Sequence, residues 1–293
     1  MFKKLYHLKN LYKRGINILD YLRKEDGTNI VDDIKISYDL QSGSYTKEFE
    51  KNPLHYQKYT IELVNVINQL GSFQNILEAG VGEATTMVNM LLNLNNFKRI
   101  DAYGFDISWS RLRYGKRFSE KNNCEINLFM GDLFSIPIAD EAIDVVYTSH
   151  SIEPNGGREE EALKELYRIT KKYLILLEPD YEIASNNAKE RMISNGYVTN
   201  LNKAIKNLGY KVVVDEKFRG SSNKLNPTGL KIIKKIHDKE SRFFFMCPHT
   251  GFPLDRKREV YNNKDAGIIY PIIDGIPCLL STNAILATHF DEF

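Results

Sequence analysis

Between residues 75 and 218, short apolar runs alternate with longer stretches whose apolar positions recur at helical spacing. The runs are NILEAG (75–80), RIDAYGFDIS (99–108), INLFMGDL (126–133), AIDVVYTSHS (142–151), YLILLEPD (173–180) and YKVVVDEKF (210–218). Their length and β-prone content predict strands. REEEALKELYRITKK (158–172) predicts a helix with acids in its first turn and bases in its last, as the helix dipole favours. NNAKERMISNGYVTNLNKAIKNLG (186–209) reads as another helical stretch. PTGLKIIKKI (227–236) adds a last strand, hairpinned to 210–218. Strand–helix alternation of this kind predicts a mainly parallel sheet with helices on both faces. Ligands of such sheets bind outside the carboxyl ends of the strands.

The flanks read differently. HYQKYTIELVNVINQLG (55–71) predicts a helix ending at Gly71, whereas ISYDLQSGSYTKEFEKN (36–52) reads as loop and lid. The start, MFKKLYHLKNLYKR, reads as a basic amphipathic helix for a membrane surface or a partner, or one with a solvated basic face. Beyond residue 240, short β-prone pieces are broken by Pro, Gly and Asn. The expected division is therefore an N-terminal helical and lid segment (1–74), a central α/β domain (75–238) and a small β-rich module (239–293).

Composition narrows the classes. Hydrophobic residues make up 42% of the 293 and charged residues 27%, which is globular rather than disordered. A net charge of +2 gives no general case for nucleic acid binding. The three cysteines, Cys124, Cys247 and Cys278, are odd in number and widely spaced, which fits a reducing, cytoplasmic setting. No apolar run reaches the roughly 18 residues of a membrane span, and no continuous apolar segment marks a signal peptide.

Candidate chemistry falls at successive strand ends. Glu78, Gly80 and Gly82 follow the first strand, where small residues allow a tight turn and close approach to a ligand; alone they fit a structural turn equally well. Asp106 ends the second strand, placed either to accept from ribose hydroxyls or to cap the next helix. Asp132 ends the third, where its carboxylate and the Leu133 amide can read an adenine edge. Motifs of P-loop nucleotide hydrolases, zinc proteases and serine hydrolases are absent. A dinucleotide such as NAD is the nearest rival ligand, but the full G-x-G-x-x-G spacing is missing and Asp132 has no dinucleotide use.

In this order, ILEAGVGEATT, GFDIS, GDLFSIPIADEAIDVVYTSHSIEP and YLILLEPD resemble the class I S-adenosylmethionine-dependent methyltransferases, nearest to their small-molecule branch. The resemblance spans roughly residues 35–236. It implies a Rossmann-like, doubly wound seven-stranded sheet, with S-adenosylmethionine as cofactor. By resemblance, Glu78, Gly80 and Gly82 hold the methionine end, Asp106 with Ile107 the ribose, and Asp132 with Leu133 the adenine. Ala84 stands where a third glycine is common.

Ser149, His150 and Glu153 follow the fourth strand, where the methyl should point. Ser149 is placed to meet the methionine end. His150 is the candidate base, as an imidazole titrates near neutrality, with a structural histidine as the alternative; Glu153 is a second catalytic candidate. Tyr38 and Tyr45 in the lid segment, and Asp180 after the fifth strand, are candidate substrate contacts, although packing and loop capping explain them as well. The expected reaction is methyl transfer to an O, N or C atom of a small molecule. The alternatives are an RNA or protein methyltransferase, or an inactive cofactor-binding scaffold.

MCPHTGFPL and YPIIDGIPCLL in the C-terminal module resemble the zinc-ribbon-derived activating subunit of some tRNA and protein methyltransferases. The late half, Tyr270 to Pro277, matches that pattern closely, but the early half lacks its second cysteine. Only Cys247, His249 and Cys278 are at hand where structural zinc takes four ligands, so no metal is expected. The module is expected to contact the catalytic domain, a protein partner, a second copy or the acceptor.

Overall fold

The computed structural model describes all residues except 1–3, 24–26, 96–98, 222, 236–241 and 293. Five helices come first: α1 (Leu5–Lys13), α2 (Ile18–Leu22), α3 (Val31–Leu40), α4 (Ser44–Lys51) and α5 (Pro53–Asn68). The alternating core follows with β1 (Asn75–Ala79), α6 (Thr85–Asn93), β2 (Asp101–Asp106), α7 (Trp109–Lys121), β3 (Asn127–Met130), β4 (Ile143–Ser149), α8 (Glu159–Ile169) and β5 (Thr170–Pro179). It closes with α9 (Asn186–Ser194), α10 (Leu201–Asn207), β6 (Val212–Lys217) and β7 (Thr228–Lys234).

These strands form a seven-stranded sheet in the order β3-β2-β1-β4-β5-β7-β6. β1 to β5 run parallel, and only β7 is antiparallel to its neighbours β5 and β6. The strand order reverses between β1 and β4, the crevice where ligands bind in open sheets. Alternate residues serve opposite faces, as strand pleating requires. Ile76, Val145, Tyr147, Ile175 and Leu177 pack with α5, α6 and α7. Leu77, Val146, Leu174 and Leu176 pack with α8 and α10. With both faces covered, central strands such as IDVVYTS read as unbroken apolar runs.

Three expectations are corrected. The stretch 36–52 is not loop: it holds the end of α3, a turn at 41–43, and α4. No side chain of its own caps α4; a glutamate forty residues along does so, and local sequence does not announce such a partner. The stretch 186–209 is two helices, broken at Gly196, whose φ of +63° is left-handed. Lys231, Lys234, Lys235, Lys239 and Arg242 read in the sequence as a basic stripe on a solvated strand or helix face. Lys231, however, is buried between Asp180 and Asp215 and Lys235 pairs with Glu141, while Lys234 and Arg242 are exposed. Lys239 of that stripe, and the expected boundary at 238–239, lie outside the described residues.

The C-terminal module holds β8 (Asp255–Lys257), β9 (Val260–Asn263), β10 (Ile268–Ile273), β11 (Ile276–Pro277) and β12 (Ile285–Leu286), all antiparallel. It covers the edge of the main sheet. Cys278 bridges to Met130 beside β3, and the Leu279 amide donates to the Met130 carbonyl at 3.2 Å. On the Asp274–Gly275 turn, Trp109 Nε1 donates to the Ile273 carbonyl, Lys116 Nζ to the Asp274 carbonyl, and Arg113 pairs with Asp274. An unpaired edge is thereby protected. Among the described residues, no helix is long and apolar enough to cross a membrane.

Candidate functional site

A cavity of about 650 Å³ opens at the carboxyl ends of β1, β2, β3 and β4. That size suits a drug-sized ligand. It brings together Glu78, Gly80, Gly82, Asp106, Ile107, Asp132, Leu133, Ser149, His150 and Glu153, with Tyr38 and Tyr45 above them. α3, α4 and α5 form one wall through Val31, Ile34, Tyr56 and Tyr59, and the β6–β7 loop adds Ser221, Asn223 and Asn226.

The loop after β1 is held in left-handed backbone at Gly80 (φ +71°), Gly82 (+52°) and Ala84 (+55°). A side chain on Gly80 would collide with Ser151, so glycine lets the β4 loop close on this turn. Ala84 takes a conformation that ordinarily favours glycine. Room for its methyl comes from α7, where a Cβ on Gly115 would stand 3.2 Å from Ala84 Cβ. The helix–loop contact that a third glycine would make is thus moved onto the partner helix.

The strand-end acids are pre-arranged by the backbone. Asp106 accepts from the Gly82 amide (3.0 Å) through Oδ2 and from the Ser108 amide (2.8 Å) through Oδ1. One carboxylate therefore holds both Ser108, whose hydroxyl caps α7 by accepting from the Arg111 amide, and the glycine loop, and each of its oxygens keeps a lone pair for a ligand. Burial raises its pKa, while the Arg111 charge and the two amides pull it down. Glu78 accepts from the Tyr147 hydroxyl at 2.9 Å, and burial pushes it up to about 8. Asp132 Oδ1 accepts from the Phe134 amide at 2.9 Å.

The lid wall is tied down by two further carboxylates. Glu83 accepts from the amides of Gly43 (2.8 Å), Tyr45 (3.3 Å) and Thr46 (2.8 Å) and from the Thr46 hydroxyl (2.8 Å). Asp39 Oδ1 accepts from the Ser108 hydroxyl at 2.7 Å. Between them lies Arg111, 7% exposed, its guanidinium 4.6 Å from the ring centres of both Tyr38 and Tyr45.

On the β4 side, a carboxylate can only accept, so His150 Nδ1 carries the proton shared with Glu153 Oε2 at 2.5 Å. Nε2 meets the Thr228 hydroxyl at 3.0 Å. His150 sits in left-handed backbone (φ +58°), which turns its ring towards β7. Burial lowers its pKa, but the Glu153 hydrogen bond and the charges of Glu153 and Glu178 outweigh that and raise it. Asn226 Nδ2 donates to both Glu153 oxygens, at 3.1 and 3.2 Å. Glu178 anchors the whole turn by accepting from the amides of Ser151, Ile152 and Glu153, and burial lifts it to about 7. Ser149 Oγ lies 2.7 Å from the Tyr59 hydroxyl.

Asp180 is the exception. It does not line this cavity; it is buried against Lys231 and accepts from the Glu182 amide at 3.0 Å. Cys247, His249 and Cys278 do not converge either: they meet the Tyr270 hydroxyl, the Ser281 carbonyl and the Ile276 carbonyl respectively. Among the described residues no group of three or more His, Cys, Asp or Glu could hold a metal ion. The donor set therefore does not fit structural zinc.

Arg111, Glu83, Tyr59, Asn226 and Thr228 escaped the sequence reading. They are single polar residues on helices, a turn and a late strand, without a spacing that marks them. Glu83 alone had a signal, an acid inside the glycine loop.

The cavity fits an adenosyl amino acid by its own features: a glycine turn no side chain could share, strand-end carboxylates with spare lone pairs, and buried polar atoms without partners at Arg111 Nη2, Ser151 Oγ and Asn226 Oδ1. Comparisons with known proteins bear on the fold. No curated protein matches the sequence. Among solved structures, magnesium protoporphyrin IX methyltransferase from Synechocystis PCC 6803 with bound SAH superposes with a TM-score of 0.53 at 11% identity, covering 69% of this chain and 99% of that one. A SAM-dependent methyltransferase from Aquifex aeolicus gives 0.47 at 13% identity, covering 59% and 88%. Residues 76–173 match the family described as a methyltransferase domain. Over that span, which runs from β1 into β5, the chain is similar to methyltransferase domains.

Proposed function

We propose that the protein transfers a methyl group from S-adenosylmethionine to an O or N atom of a small acceptor bound beside His150. The observation that carries this reading is the gathering of Glu78, Gly80, Gly82, Asp106, Asp132, Ser149 and His150 around one cavity of about 650 Å³. Glu78, Gly80, Gly82 and Ser149 hold the amino-acid end, Asp106 and Ile107 the ribose, and Asp132 with Leu133 the base. The bound cofactor supplies an activated methyl group, so the protein's part is alignment, exclusion of water and removal of a proton where the acceptor has one.

His150 takes that proton through Nε2 once the acceptor displaces the Thr228 hydroxyl. Glu153 positions the ring, and Asn226 positions Glu153. Asn226 Oδ1 is buried without a partner, and the two bonds its amide nitrogen makes to Glu153 set its orientation. It offers an acceptor site to an O–H or N–H of the bound molecule. With Glu153 and Glu178 close by, an anionic acceptor is disfavoured. Tyr38 and Tyr45 close over the bound molecules.

The stretch around 231–235 gives a nucleic acid acceptor little support, since Lys231 and Lys235 are engaged internally. Three free, buried cysteines agree with a cytoplasmic setting. The C-terminal module acts as a metal-free, built-in descendant of a zinc-ribbon subunit that caps the β3 edge. Calorimetry with S-adenosylhomocysteine tests the cofactor assignment, with micromolar or tighter binding expected; a folded protein that binds none would overturn it. Mass spectrometry of co-purifying small molecules then identifies the acceptor.

A further inference from the structure

Arg111 is a buried cation with unfinished hydrogen bonding. It projects from the first turn of α7 to the cavity wall, where Nη1 lies 3.2 Å from the point a Gly82 Cβ would occupy. Nε donates to the Tyr38 carbonyl at 3.2 Å, the guanidinium lies 4.6 Å from the ring centres of Tyr38 and Tyr45, and the Tyr45 hydroxyl is a further polar neighbour that favours its charge. Nη2 is fully buried and has no partner. Withholding a charged donor from both water and protein is costly, and a ligand anion would remove that cost.

We infer that Arg111 is the anion-binding residue of this cavity and that it takes the carboxylate of the methyl donor's amino-acid end. The inference rests on the methyl-donor reading and goes beyond it, because the strand-end motifs assign nothing to this side chain. Elimination supports it. Among the described residues lining the cavity, Arg111 and His150 are the only basic side chains. His150 is bonded to Glu153 and stands in the negative field of Glu153 and Glu178, which repels an anion. The acids Glu78, Asp106, Asp132 and Glu153 would repel a carboxylate but suit the ammonium and sulfonium of the same molecule. A planar fork whose Nε is held while Nη2 still lacks a partner is a geometry that recognises carboxylates.

The competing role is a brace for the lid, through the Tyr38 carbonyl. Two probes separate them by calorimetry on the full-length chain: S-adenosylhomocysteine, which has the carboxylate, and 5′-methylthioadenosine, which keeps the adenosine and thioether but lacks it. Arg111→Met should lose roughly 10- to 100-fold in affinity for the first probe and little for the second. Arg111→Lys should fall between, and it carries the comparison if the Met variant does not fold. Equal losses for both probes, or none for either, would overturn the inference while leaving the methyl-donor reading intact. A wild-type protein that binds neither probe would remove both.

Discussion

Glu83 and Thr46 are joined twice, the carboxylate accepting from both the amide and the hydroxyl of the threonine at 2.8 Å. Through that contact the glycine loop of the cavity caps α4 of the lid, so the two move together. Glu83→Ala strands buried amides at Gly43 and Thr46 and should cost roughly 3 kcal/mol. Urea denaturation measures the loss, and limited proteolysis should cut faster within 41–52. An unchanged midpoint and cleavage rate would show that α4 is held by other contacts.

The pairing of Ala84 with Gly115 makes a steric prediction. Gly115→Ala places a methyl about 3.2 Å from Ala84 Cβ and 3.1 Å from the Glu83 carbonyl carbon, tighter than packed carbons tolerate. A cost of about 1–3 kcal/mol is expected. Adding Ala84→Gly should recover part of it, a coupling that a double-mutant cycle reads directly.

Burial raises Glu78 to about 8 and Glu178 to about 7, above the usual carboxylate range near 4.5. The folded state then holds protons that the unfolded chain has released. Stability from these groups is complete below pH 4.5 and is lost as pH rises towards 7–8. A cationic ligand next to Glu78 reverses the preference, so binding of S-adenosylmethionine should release a proton at neutral pH and tighten towards pH 8. Calorimetry in buffers of different ionisation enthalpy counts that proton. Glu78→Gln should abolish the release, and a release that persists would assign it elsewhere.

In the His150–Glu153 pair, the hydrogen bond and negative charge hold the imidazole above its ordinary pKa. Glu153→Gln should lower it, visible in the histidine ring shifts by NMR titration. If the base assignment holds, His150→Ala should also reduce turnover roughly tenfold or more with cofactor affinity kept. A pKa that stays raised in Glu153→Gln would point to Glu178 as its source.

Cys247, His249 and Cys278 each have a non-metal partner. The purified protein should therefore carry well under one zinc per chain by elemental analysis, and a chelator should leave its unfolding midpoint unchanged. Stoichiometric zinc, or a chelator-induced drop, would contradict the assignment.

The strands were legible because burial on both faces writes itself as apolar runs such as IDVVYTS and YLILLEP. The residues at their ends were legible because chemistry in open sheets collects there. What stayed hidden depends on partners far away in the chain. α4 in 44–51 is polar enough to pass for a loop, and its N-terminus is satisfied by Glu83. Lys231 looked like surface charge until Asp180 and Asp215 closed around it. Arg111 is one more base on a charged helix until Tyr38 and Tyr45 are seen on either side of it.

The edge of β3 finds its covering segment at Ile276–Leu279, close to the far end of the chain. Ile276, Cys278 and Leu280 lie in the same apolar interior as the α5–α7 face of the sheet. The seven-stranded sheet therefore keeps an open edge until Ile276–Leu279 has been synthesised and has packed against β3. A chain cut before Ile276 should thus expose that edge and give an aggregating species rather than a smaller working enzyme.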